Sequence, residues 1–202
     1  MPTVVIPFAG AEGKTRLNMP QQIRRALSLA MLGDVVSAAA AVGATHVVTA
    51  DAEAEAIAAE LGAATVADEG GGQGAAVAAA LAQLDSGPVL IVNADVPCIR
   101  AGDLEALLAA TPPGGVAVVE ARDGTTNALS LPAPAVFAAL YGPGSAARFR
   151  AHAGGLGLEA VVAVVPNLAD DVDTVDDLER FRRRCGPRTQ ACLAKLPAEL
   201  AR

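Results

Sequence analysis

Aromatic side chains are almost missing from this chain: four Phe, one Tyr and no Trp among 202 residues, or 2% of the total. A core must therefore come from the Ala, Val and Leu of a composition that is 52% hydrophobic. Such small side chains suit close packing of helices on a sheet. Basic charge is scarce as well, with 15 Lys and Arg against 22 Asp and Glu and a net charge of -7. Without a basic face, no nucleic acid partner is expected, whereas a small anion held by a few local arginines remains compatible with this balance. Long apolar runs are lacking too. Gly, Pro or a charge interrupts each one, so no membrane span and no membrane partner are expected. The first residues enter a strand at once, with no basic segment ahead of an apolar one, so no signal peptide is expected. Cysteine is limited to Cys98, Cys185 and Cys192, an odd number without a close-set pair. That usage predicts reduced thiols in a cytoplasmic protein, and the spacing fits neither zinc nor thiol-redox patterns. His46 and His152 lack metal-ligand spacing, and no Ser–His–Asp or Cys–His arrangement is suggested.

What is present is an alternation of strands and helices. Strands are expected at Thr3–Phe8, Thr45–Thr49, Ala63–Ala67, Pro88–Val92, Val116–Val119, Asn127–Leu131 and Leu158–Val165. Helical spacing predicts helices over Gln21–Ala41, Ala52–Leu61, Ala75–Leu84, Asp103–Ala110, Ala133–Leu140, Ser145–Ala153 and Thr174–Arg184. The first-half strands are continuously apolar, as strands buried on both faces should be. The pattern predicts an α/β three-layer αβα sandwich on a mostly parallel mixed sheet. No repeat or linker divides it, so residues 1–185 are read as one domain. Residues 186–202 form a tail with Pro187 and Pro197, either a short docked helix or partly disordered.

The most informative segment is Asn93-Ala94-Asp95-Val96-Pro97, directly after the apolar strand Pro88–Val92. Open α/β sheets bind ligands at the carboxyl ends of their strands, and a buried carboxylate needs a partner. A turn or cap aspartate is the competing account. A second acidic cluster, Asp170-Asp171-Val172-Asp173-Thr174, follows the last strand. Two acidic strand ends that converge on one hard cation would suit metal-assisted nucleotide chemistry. Thr174 also reads as an N-cap with acids in the first turn behind it. The loop ending in Gly13-Lys14-Thr15-Arg16 before a long helix can clamp a triphosphate, or carry only a solvated basic pair; it is not a P-loop. In Asp68 to Ala76 the glycines let a flat base approach the backbone, and Gln73 offers a donor and an acceptor to a base edge. A flexible connection is the plain alternative. Ser145 and Arg148, at the start of a short helix, can hold a phosphate or carboxylate or simply cap it.

Taken in order, Lys14-Thr15-Arg16-Leu17 with Leu29 to Asp34, Asn93 to Pro97, Gly124 to Leu129 with Tyr141 to Arg148, and Asp171 to Thr174 resemble one family across nearly the whole chain. It is the CofC/FbiD-type phosphoenolpyruvate or 2-phospholactate guanylyltransferases of coenzyme F-420 biosynthesis. The resemblance implies a GT-A-like nucleotide-diphospho-sugar transferase fold and Mg2+ held by Asp95, Asp171 and Asp173. It implies a catalytic set of Lys14, Arg16 and Asp95, and a GTP-binding set of Gly13, Lys14, Arg16, Gln73, Gly74 and Asn93. Thr125, Thr126, Ser145 and Arg148 would meet a small phosphorylated acid: phosphoenolpyruvate, 2-phospholactate or 3-phosphoglycerate. An alanine-rich surface helix could mediate a homodimer.

Two positions depart from the family. Its first strand usually ends in Val-Lys, where this chain has Phe8, and its glycine-rich loop usually carries Leu-Asn, where this chain has Gln73-Gly74. A molybdopterin- or sugar-phosphate-type nucleotidyltransferase is the neighbouring reading, although the Gly-Gly-x-Ser-x-Arg-Met-Gly loop followed by Pro-Lys is absent. A non-catalytic nucleotide-binding paralogue is a third; Phe8 favours it, and the retained Asp95, Asp171 and Asp173 oppose it.

Overall fold

Alternating side chains split each inner strand between two cores. Val4 and Ile6 point to one face of the sheet and Val5 to the other; Leu90 and Val92 face one way, Val89 and Ile91 the other. Covering both faces requires a layer of helices on each side, and the computed structural model, which describes residues 1–10 and 17–196, has that arrangement. The strands are β1 (Thr3–Pro7), β2 (Ala44–Thr49), β3 (Ala64–Ala67), β4 (Val89–Val92), β5 (Val116–Glu120), β6 (Thr126–Leu131) and β7 (Ala160–Val162). They form one sheet in the order β3-β2-β1-β4-β6-β5-β7. All neighbours are parallel except β6, which is antiparallel to both β4 and β5. The expected mostly parallel mixed sheet is therefore the one observed.

The helices are α1 (Gln21–Ala40), α2 (Ala52–Glu60), α3 (Gln73–Leu81), α4 (Ala101–Ala110), α5 (Ser145–Gly155), α6 (Pro166–Ala169), α7 (Val175–Phe181) and α8 (Pro187–Ala194). Core residues of α1, α2, α4 and α6 cover one face of the sheet, and those of α3 and α5 the other. A third cluster, with Leu27, Met31, Val172, Phe181 and Leu193, joins α1, α7 and α8 beyond the sheet.

Three expectations change. Only Pro134–Val136 turns, as a 3-10 helix, where Ala133–Leu140 was expected to be helical. Two prolines, Pro132 and Pro134, limit the backbone there. Phe137 and Tyr141 instead turn inward to meet Phe149 at ring-centroid distances of 6.2 and 5.3 Å. The expected long strand Leu158–Val165 shrinks to Ala160–Val162, because β7 is an edge strand paired only with Val116 to Val118 of β5. The helix expected over Thr174–Arg184 is the shorter Val175–Phe181, with Thr174 capping it as anticipated: its hydroxyl accepts from Asp177 N–H at 3.2 Å. Of the tail, residues 197–202 lie outside the described residues, and a helix spans Pro187–Ala194. The buried Asp34 carboxylate of α1 accepts from the backbone N–H groups of Arg188 (3.0 Å) and Thr189 (2.8 Å), satisfying two donors at the start of α8. Cys98 and Cys185, 87 positions apart in the chain, are free thiols buried in the same third core cluster. Among the described residues, no helix is long and apolar enough to cross a membrane.

Candidate active site

The strand order reverses between β1 and β4: from β1 the chain builds outward through β2 and β3, then returns to place β4 on the other side. Ligand crevices open at such switch points, beyond the carboxyl ends of the strands. A cleft of about 270 Å3 lies there. It runs from Pro7 to Gly10 after β1, past Asp68 after β3 and Gln73 of α3, to Asn93 and Asp95 after β4. Phe8, Met31 and Ala76 give it an apolar lining. Phe8, which takes the place of the family's usual lysine, is 6% exposed and belongs to the core as well as to the cleft wall.

One end of the cleft is acidic. Carboxylate oxygens of Asp95, Asp171 and Asp173 all lie within 4.8 Å of one another. Their convergence has a local cause. Along the chain after α6, Asp170 and Val172 are buried while Asp171 and Asp173 are only half-buried, an alternation of period two. Val172 sits in the third core cluster and donates its N–H to Asp95 O at 2.9 Å, so the two acidic loops are joined by backbone. Asp170 takes no part in the trio. It accepts from Arg122 at 2.9 Å and Arg184 at 2.5 Å, and both guanidiniums flank the Phe181 ring. Burial, reinforced by the Asp95 charge, pushes the Asp171 carboxyl up to about 6. A hydrogen bond from Asn127 opposes that rise. Three hard oxygen donors crowded together in this way fit a small divalent cation such as Mg2+, which keeps further positions for water and phosphate oxygens.

Amide side chains connect this trio to the other end of the cleft. Asn127 Nδ2 donates to Asp171 Oδ1 at 3.1 Å. Asn93 Nδ2 donates to Thr126 O at 3.1 Å and lies 3.4 Å from Asn127 Oδ1. Gln73 Nε2 donates to Asn93 Oδ1 at 2.6 Å. Neither Asn127, 2% exposed, nor Asp68 was singled out from the sequence. Asn127 was hidden because its partner lies 44 positions away, although it stands in the Gly124 to Leu129 stretch that carried the family resemblance. The glycine-rich loop connects Asp68 to Gln73, and both line the cleft. Gly70, Gly71 and Gly72 have φ of 89°, 91° and 85°, a left-handed run that other residues rarely adopt. Gly74, expected at the nucleotide, lies against the 132–143 segment: a Cβ there would stand 2.7 Å from the Ala139 Cβ.

The residues expected at the acid gather where the β5–β6 hairpin meets α5. Thr126 and Ser145 are 2% and 0% exposed and share a hydroxyl–hydroxyl hydrogen bond of 3.0 Å. Their hydroxyls thus lie one layer beneath the surface and hold β6 against α5. Thr125 is more accessible; its hydroxyl donates to Asp123 Oδ1 at 2.6 Å. Arg148 is exposed, and its guanidinium donates to the carbonyls of Leu140, Tyr141 and Pro143. In this structure it binds the 140–143 loop to α5 instead of opening toward an anion. Gly13, Lys14 and Arg16 lie outside the described residues.

The family described as "Guanylyl transferase CofC like" matches residues 2–196. The chain belongs to this family. CofC-like relatives include the phosphoenolpyruvate guanylyltransferase of Roseiflexus castenholzii, 39% identical over 175 residues (85% of this chain and 82% of that protein). The enzyme of the same name from Streptomyces coelicolor is 37% identical over 207 residues, covering 96% of both chains. Membership makes the chain a nucleotidyltransferase-type enzyme. Solved structures agree on the fold. A Desulfovibrio desulfuricans G20 protein assigned to the nucleotide-diphospho-sugar transferases superposes with a TM-score of 0.73 at 19% identity, covering 96% of this chain and 95% of that one. The structure of 4-diphosphocytidyl-2C-methyl-D-erythritol synthase gives 0.62 at 12% identity, covering 91% and 97%. The expected GT-A-like architecture is thereby shown for this CofC-like chain.

Proposed function

We propose that this protein is a Mg2+-dependent guanylyltransferase that joins GMP from GTP to a small phosphorylated carboxylic acid and releases pyrophosphate, serving coenzyme F-420 biosynthesis. Phosphoenolpyruvate, 2-phospholactate and 3-phosphoglycerate are the candidate acids, and the names of the two relatives support phosphoenolpyruvate among them. The observation that carries this reading is the convergence of Asp95, Asp171 and Asp173 at the end of a cleft at the topological switch point.

Asp95, Asp171 and Asp173 would hold the cation, which when bound supplies positive charge to phosphate oxygens. Asn127 fixes the rotation of Asp171 through its amide hydrogen bond. Lys14 and Arg16 are proposed at the triphosphate of GTP. The Gly124–Thr125 turn and the start of α5, joined by Ala146 N–H to Gly124 O at 3.4 Å, are proposed to seat the acid. An oxygen of the acid's phosphate attacks the α-phosphorus of GTP. A new P–O bond forms, the bond to the β-phosphate oxygen breaks, and pyrophosphate leaves. Alignment of two anions and neutralisation of their charge account for the rate, so no protein nucleophile is required. Single turnover with GTP labelled at the α-phosphate tests this: label should pass to the acid and never to the protein. Label retained on denatured protein contradicts direct transfer.

A further inference from the structure

We propose that Asp68 reads the donor edge of guanine, with the side-chain oxygen of Gln73 available in the same cleft. The assignment rests on the guanylyl-transfer reading and names the residues that select its base. The cleft has two chemically distinct ends. Phosphates belong with Asp95, Asp171 and Asp173, beyond β4. β3 lies three strand intervals away from β4 in the sheet, about 14 Å; Asp68, directly after β3, lines the cleft on that side, and Gln73 lines the same cleft while its amide bonds Asn93 beyond β4. A nucleotide with its phosphates at the aspartates therefore extends its base toward Asp68.

Asp68 is held for such a task. Its N–H donates to Thr49 O at 3.1 Å, and its Oδ1 accepts from Gly70 N–H at 2.9 Å, which fixes the carboxylate against the loop. No ion pair with a described Lys or Arg accompanies it. The orientation of Gln73 is set by its neighbours. Asn93 gives its Nδ2 to Thr126 O and so must accept with Oδ1, and Gln73 supplies that hydrogen bond from Nε2. The remaining polar atom of Gln73 is an acceptor. Besides the aspartate trio, the cleft thus offers a carboxylate and an amide oxygen, both acceptors. Guanine presents two adjacent donors, N1–H and the 2-amino group. Adenine, cytosine and uracil each present one donor next to an acceptor, and that acceptor would face a carboxylate. Guanine discrimination thereby survives the loss of the family's usual Asn at Gly74.

The test uses the full chain with GTP, inosine triphosphate, which lacks the 2-amino group, and xanthosine triphosphate, which has a carbonyl there. Both kcat/KM with the acid and calorimetric affinity without it are read. Wild type should favour GTP over the other two by about 10- to 100-fold, the range for a bidentate base contact. Asp68→Asn keeps an oxygen for Gly70 and turns a donor toward the base. It should lose that preference and gain xanthosine triphosphate by a similar factor, with kcat on that nucleotide near the wild-type value on GTP. Asp68→Ala should lose discrimination between GTP and inosine triphosphate without the gain. A wild type that prefers GTP while Asp68→Asn keeps the same ranking overturns the Asp68 assignment alone. A wild type that binds and uses another base better overturns the guanylyl-transfer reading and this assignment with it.

Discussion

Three carboxylates gathered for a cation should destabilise the protein when no cation is there. At separations within 4.8 Å, an effective dielectric of about 20 gives a repulsion of about 3 kcal/mol per charged pair before screening. Asp171 carries the signature: burial first, then the Asp95 charge, raises its carboxyl from 3.8 to about 6. A raised folded-state value means that the folded protein holds the proton more tightly. The associated stability is fully present below the unfolded value and is lost as pH rises through about 6. The whole rise corresponds to about 3 kcal/mol, which partial solvent access reduces to about 1–2 kcal/mol. Asp171→Asn removes the charge and keeps an oxygen for the Asn127 donor. In urea unfolding of chelator-treated protein at pH 7.5, the variant should be more stable than wild type by about 1–2 kcal/mol. The gap should close near pH 4, and Mg2+ should stabilise wild type more than the variant. A metal-free variant less stable than wild type at pH 7.5, or a gap equal at both pH values, refutes the repulsion.

Other outcomes follow from the same contacts. Asp95→Asn and Asp173→Asn should each lower kcat by at least about 100-fold with the melting temperature retained; near-wild-type turnover in both removes the metal-site assignment. Asp34→Ala uncaps α8 from within α1 and should cost about 2 kcal/mol in thermal unfolding, with exchange protection lost first at Arg188 and Thr189. Ser145→Ala breaks the buried bond to Thr126 and should cost about 1 kcal/mol while raising the KM of the acid but not of GTP; equal changes in both would detach α5 from the acid.

Much of this architecture was legible because its signals are local. The fully apolar Val89–Val92 could only be an inner strand, and an acid after such a strand marks the ligand-binding edge of the sheet. Asp171 and Asp173, in a second acidic cluster after the last strand, could be expected to converge with Asp95 on one cation. Other parts depend on partners distant in the chain. The length of β7 is set by the three residues of β5 that it pairs with. The 132–143 segment follows Phe149 instead of its own helical spacing, because two prolines weaken the helix while the aromatic contacts draw Phe137 and Tyr141 inward. Asn127 is an ordinary strand residue until Asp171 comes within 3.1 Å of it. Asp68 looks like a turn residue until β3 is placed three intervals from β4.

Pyrophosphate release with Mg2+ tests the central claim most directly, measured for the four common ribonucleoside triphosphates against phosphoenolpyruvate, 2-phospholactate and 3-phosphoglycerate. The account predicts release with GTP and one of these acids, dependent on both substrates and abolished by chelator. Folded protein that is silent in every pairing, or equally active with every triphosphate, would contradict it.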